Sequence, residues 1–289
     1  MSNMVNQKIL GILFGILAGA MWSIEAILGK TLLSSLSFIQ VAASESFFAA
    51  ITSFTYILLS KKPIKLKTSR KIDVLFVGLI GSVLAPMAYF FGLKLTFAIN
   101  ATLLAHIQPL FVSILGFLFL GERLHKNDVI GGLMIGIAAI LVSGRNIENL
   151  LNLKFNTGDF VVLFATFCWA LVAIPGKRLT ETANSILIVG YRFLIASGFF
   201  IPLLLALNQL AIESIYQIIL GVIIGLGYIF YYEGLKRIKA SQVALTELSS
   251  PLFTAILAWF TLKEYMTWLQ ATGATLLIAG LIILAYENY

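Results

Sequence analysis

Charge is scarce in this 289-residue chain. Asp, Glu, Lys and Arg make up 11% of it, against roughly a quarter in a soluble domain, so it cannot clothe itself in polar side chains. Cys168 is the single cysteine and lies within an apolar run, which excludes an intrachain disulfide and a cysteine metal cluster. The two histidines, His106 and His125, have no metal-ligand spacing, and no metal or cofactor is expected. No G-x-x-x-x-G-K-[ST] loop is present, so direct use of ATP is not expected. Low-complexity stretches and segments long enough for a separate soluble domain are also missing. What is abundant is apolar: 60% of the residues, gathered into runs parted by short loops.

The runs fall at roughly 9–29, 38–60, 72–92, 98–120, 128–144, 158–176, 184–206, 213–234, 240–262 and 267–286. A spanning helix needs ~20 apolar residues, and these runs do not alternate with period two, so ten helices are expected rather than a barrel. The first run has no obvious cleavage site and reads as a retained helix. Short loops make neighbouring spans antiparallel. A net charge of +7 would suggest nucleic acid in a soluble protein, but the basic residues sit in the gaps between spans. Lys8, the run Lys61–Lys71, Arg123, Lys126, Lys177, Arg178, Lys236, Arg237 and Lys239 share one loop parity. Lys30, Lys94, Arg145, Lys154 and Lys263 share the other. That bias places both termini in the cytoplasm of a multi-pass protein of the cell membrane.

The chain repeats itself. At an offset of 142, Pro109-Leu110-Phe111 matches Pro251-Leu252-Phe253, Tyr89 matches Tyr231, Gly92-Leu93-Lys94 matches Gly234-Leu235-Lys236, and Glu122 matches Glu264. Earlier in each half the offset is 147: Trp22 meets Trp169, and Gly29-Lys30 meets Gly176-Lys177. The longer basic loop after the second run absorbs the difference. Two five-helix repeats, 1–145 and 155–289, are expected. An odd number of spans inserts the second upside down, an arrangement typical of alternating-access carriers with a substrate site near the midplane. The predicted fold class is therefore an all-α membrane protein of ten transmembrane helices in two inverted five-helix repeats.

The segment PLFVSILGFLFLGERLHKNDVIGGLMIGIAAILV and its partner PLFTAILAWFTLKEYMTWLQATGATLLIAGLIIL resemble the EamA domain of the drug/metabolite transporter superfamily. The pattern is a helix opened by Pro-Leu-Phe and closed by an acidic residue, then a glycine-rich helix, and it occurs twice. Lys263-Glu264 departs from Gly121-Glu122 of the first half. The resemblance implies an exporter or exchanger of amino acids, nucleotide precursors, sugar derivatives or other metabolites.

Charged groups within spans cost ~2.5–3.5 kcal/mol on insertion scales, so each is a candidate functional residue. Glu45 and Arg192 are mates at the 147 offset, at matched depths in opposite halves. They read equally as a zwitterion's two anchors and as an ion pair bracing two helices. Ala49, Thr52 and Tyr56 are expected on the face of Glu45, and Ala196 and Phe199 on that of Arg192. Trp22 and Trp169 are expected as cavity walls or as packing, beside Tyr89 and a cluster of Tyr228, Tyr231 and Tyr232. Glu25, one turn after Trp22, is a gate or proton candidate. His106 titrates near neutrality and reads as cavity-lining with Gln108, Glu247 and Ser250. Pro109 and Pro251 free a carbonyl one turn back and are expected hinges. Glu122 and Glu264 are expected at the surface, ordering loops or gating.

The leading expectation is a secondary carrier of a small-molecule substrate within the lipid bilayer, with no nucleic-acid partner and no enzymatic activity; amino-acid-like cargo is the sharper version. A membrane enzyme would need clustered catalytic groups, and a channel a filter motif; neither is evident. Oligomeric state is open.

Overall fold

The computed structural model describes residues 2–61, 63–66, 68–120, 125–238, 243 and 246–285. These form the five helices α1 (Ser2–Leu32), α2 (Phe38–Leu59), α3 (Lys71–Leu95), α4 (Ala98–Ala105 and Gln108–Leu120) and α5 (Lys126–Gly144). The second five are α6 (Thr157–Leu171 and Ala173–Thr180), α7 (Ser185–Ala206), α8 (Ile215–Leu235), α9 (Ser249–Leu262) and α10 (Trp268–Ala285). Helices α1 to α8 are long and apolar enough to cross a membrane, and α9 and α10 are shorter apolar helices. Helix is the secondary structure a bilayer allows such runs, because it satisfies each backbone group within the segment. Leu118, Leu133, Phe160 and Phe260 lie exposed on the outside of the bundle, where lipid replaces water as their solvent.

The helix ends follow the repeat as well. Ser37 caps α2 and closes a capping box with Gln40; its mate at offset 147, Asn184, caps α7. Each side-chain oxygen takes a backbone N–H that the first helical turn cannot satisfy internally.

Packing between helices shows the inverted symmetry directly. Mates pack on mates: α2 on α7, α4 on α9, α5 on α10. The cross-pairs come in related couples, α1 on α8 with α6 on α3, α1 on α9 with α6 on α4, and α2 on α8 with α7 on α3. Two of these crossings are made possible by glycines at matching positions. A Cβ on Gly92 of α3 would stand 2.8 Å from the Gly158 carbonyl of α6, and one on Gly158 would stand 2.7 Å from the Gly92 carbonyl. Gly234 of α8 crosses Gly11 of α1 in the related couple, with the corresponding approach at 3.4 Å.

Ten crossings put both chain ends on one face of the bundle, the terminal face; the opposite one is the distal face. Four of the expected continuous spans are interrupted, α6 among them at Val172. α3 carries a π-turn over Ile80–Leu84, just before Pro86. α4 breaks at His106 and Ile107, and the helical conformation of α9 is broken at Leu248, the mate of His106. The breaks in α4, α6 and α9 begin three residues before Pro109, Pro175 and Pro251.

Candidate functional site

Prolines build the centre of the bundle by what they withhold. Pro86 has no N–H to give to Gly81 or Ser82, and side chains from other helices take those carbonyls. Gly81 O accepts from Arg192 Nη2 at 2.7 Å and from Trp169 Nε1 at 3.2 Å, and Ser82 O accepts from Ser46 Oγ at 3.3 Å. Pro251 likewise frees Glu247 O, which lies 3.2 Å from His106 Nε2. His106 Nδ1 lies 2.7 Å from Thr102 O. Both carbonyls only accept, so the doubly protonated ring satisfies both and the neutral ring only one. Both expected hinge positions are real interruptions of helix, and the carbonyls freed by Pro86 and Pro251 are tied across helices.

Arg192 and Glu45 are both buried, on α7 and α2, and they do not form an ion pair with each other. Arg192 acts on Glu45 electrostatically, while its hydrogen bonds go elsewhere. Its Nε donates to Ser82 Oγ at 2.6 Å and its Nη2 to Gly81 O, while the guanidinium lies 5.1 Å from the Tyr228 ring centroid. Glu45 is 4% exposed, and its Oε2 has no hydrogen-bond partner. Glu25 lies within electrostatic reach of Glu45, and both act on the hydroxyls of Tyr89 and Tyr228. The two carboxylates thus share one region with two aromatic pairs. Trp22 and Tyr228 have ring centroids 5.1 Å apart, and Tyr89 and Trp169 5.4 Å apart. Trp22 Nε1 donates to Glu247 Oε1 at 2.8 Å, which brings the third carboxylate to the same region.

The structure therefore brings together Glu25, Glu45, Arg192, Glu247, His106, Trp22, Trp169 and Tyr89. Ser250 is not among them. It is fully buried in the seam between α1 and α9, where Ser23 Oγ donates to its carbonyl at 2.8 Å. Gln108 opens the second piece of α4 and is partly buried. Phe199 is 44% exposed and does not share the surroundings of Arg192, because the packed face of α7 continues through Ala196, Phe200 and Leu204, one residue aside. The π-turn, Ser82 and Tyr228's place beside Arg192 were missed by sequence reasoning; Pro86 within an apolar run was the available signal.

A second cluster closes the distal face. Lys30 of α1 donates to Leu93 O at 2.6 Å, and also to Thr96 O, gripping the turn between α3 and α4. Glu264 is not at the surface but buried, and its Oε2 accepts from the N–H of Ala98 at 2.8 Å, capping α4. Lys263 makes this placement by ending α9 in the left-handed conformation, at φ 57°, a position where glycine is usual. Asp159 accepts from Thr96 Oγ1 and from Asn100 Nδ2, and Gln270 donates to Asn100 Oδ1. The Arg145 guanidinium lies 3.5 Å from the Phe97 ring centroid, over the same turn. Glu122, the expected partner of Glu264 on the terminal face, lies outside the described residues.

A ten-span bundle of inverted halves, with charged groups buried at its centre and one end sealed, is the architecture of a membrane carrier. The chain belongs to the EamA-like transporter family, which matches it twice, over residues 9–144 and 156–286. It is 30% identical to an uncharacterized transporter of Methanothermobacter thermautotrophicus, covering 98% of this chain and 88% of that one. It is 27% identical to the uncharacterized transporter YyaM of Bacillus subtilis, over 83% of this chain and 82% of the other. The pseudopaline exporter CntI of Pseudomonas aeruginosa is 23% identical, over 95% of each chain. A solved structure superposes with a TM-score of 0.67 over 94% of this chain and 95% of its own, at 17% identity, and so supports the fold alone.

Proposed function

We propose that this transporter exports or exchanges amino-acid-like metabolites by alternating access, with repeats 1–145 and 155–289 as its two moving halves. The observation that carries this reading is the state of Glu45 and Arg192. They are buried mates in opposite halves, unpaired with each other, beside rings that stack on organic cargo. A carboxylate and a guanidinium so placed receive an ammonium and a carboxylate of one zwitterion. A relative named as an exporter supports the direction. The charge bias of the loops supports termini in the cytoplasm of a cell-membrane protein, which makes the described state open to the inside. Glu25, Glu45, Glu247 and His106 are the candidates for proton handling during the cycle, and Pro109 and Pro251 the hinges.

The test is counterflow in proteoliposomes preloaded with unlabelled amino acids. Transient, saturable accumulation of labelled amino acid supports the reading; flux that neither saturates nor counter-exchanges contradicts a carrier.

A further inference from the structure

Within the central region the carboxylates outnumber the guanidinium. Glu25, Glu45 and Glu247 stand against Arg192, whose Nε and Nη2 each serve one neutral acceptor, Ser82 Oγ and Gly81 O. Glu247 is tied to Trp22. Glu45 is the outlier: more than nine-tenths buried, with Oε2 unpartnered, and within electrostatic reach of both Glu25 and Arg192. Two carboxylates within electrostatic reach in a low-dielectric interior do not both stay ionised unless a cation stands between them; without one, a proton takes its place. The rings of Trp22 and Tyr228, with their negative faces, favour the same sign of guest.

We propose that the site selects cargo with a surplus of positive charge: an organic amine whose ammonium group, over and above any zwitterionic pair, binds between Glu45 and Glu25 beside the Trp22 and Tyr228 rings. Diamines and basic amino acids are the matching class. Neutral amino acids satisfy one carboxylate and leave the other uncompensated; acidic ones add a charge of the wrong sign. This rests on the carrier reading above and goes one step past it, to the net charge of the cargo.

The experiment measures homo-exchange in four sets of proteoliposomes, loaded separately with lysine, putrescine, leucine or glutamate, each at equal concentration. Lysine and putrescine are expected to exchange at least tenfold faster than leucine, and glutamate at the rate of empty liposomes. Glu45→Gln and Glu25→Gln, checked for folding by detergent chromatography, are each expected to cut the lysine-to-leucine ratio below twofold. If leucine equals or exceeds lysine in the wild type, the carrier stands and the cation preference falls. If the ratio survives in both variants, the assigned residues are wrong. If none of the four exchanges through well-folded protein, the carrier reading falls with the preference.

Discussion

The two ends of the bundle are built from matching helices, yet they are in different states. At the distal end Gly29 of α1 presses on α3: a Cβ there would stand 2.6 Å from Phe90 and 3.2 Å from Leu93. Its mate on the terminal side, Gly176 of α6, has nothing within 4 Å of the same position among the described residues. At the glycine crossings the backbone approach is 2.7 and 2.8 Å distally and 3.4 Å at the terminal end, where the side chain of Ile238 packs on Gly11 instead. One repeat unit thus shows two conformations of the same contact, closed between α1 and α3 and open between α6 and α8. A bistable contact of this kind is what alternating access requires, with the closed and open ends exchanging roles.

The comparison can be broken in several ways, beginning at the centre that both ends serve. Arg192→Ala leaves Ser82 Oγ without its donor, Gly81 O with Trp169 alone, and three carboxylates without a guanidinium. Losing one partner of a buried charged arrangement costs ~3–5 kcal/mol, so exchange in proteoliposomes is expected to fall more than about 100-fold. Gly29→Ala inserts a methyl group into the closed distal contact, for which overpacking costs ~1–3 kcal/mol. Hydrogen exchange of residues 93–98 is expected to accelerate roughly tenfold or more. Gly176→Ala is expected to leave that segment within about twofold of wild type, because the added group meets open space.

Lys30→Met removes the clamp on the turn between α3 and α4. Hydrogen bonds to charged groups contribute ~1.5–3 kcal/mol, partly screened at a half-exposed end, so about a tenfold loss of protection at residues 93–98 is expected. Glu264 gives the smallest effect. Burial pushes its carboxyl above the usual carboxylate range, outweighing the Ile99 and Ala98 amides and the Lys30 and Arg145 charges. The closed face therefore holds a proton on Glu264 more tightly than an open, hydrated face. That contribution to closure is present at acid pH and is lost as pH rises through the raised value. Between pH ~5 and ~7, protection of residues 93–98 relative to intrinsic rates is expected to fall less than about threefold, and Glu264→Gln to flatten the trend.

The sequence carried the helices and the repeat because apolar length and mated motifs are written in residue type. Trp22 with Trp169 and Gly92 with Gly234 needed no geometry to be matched. The breaks at Pro109 and Pro251 were legible for the same reason. Arg192's partners were not, because backbone carbonyls have no sequence signature and the π-turn at Ile80–Leu84 leaves no mark on composition. The distal cluster was missed for another reason. Asn100, Asp159 and Gln270 sit near span ends, where polar side chains are expected to be wet, and only the meeting of α4, α6 and α10 reveals them as buried.

The central claim is that the contact between α1 and α3 must open for cargo to cross. In a Cys168→Ser background, Gly29→Cys and Leu93→Cys are to be joined by a short bifunctional thiol reagent, and exchange measured before and after. The account predicts that the joined protein stops exchanging while either single cysteine, treated alike, continues. Exchange at an unchanged rate through the joined protein would contradict it.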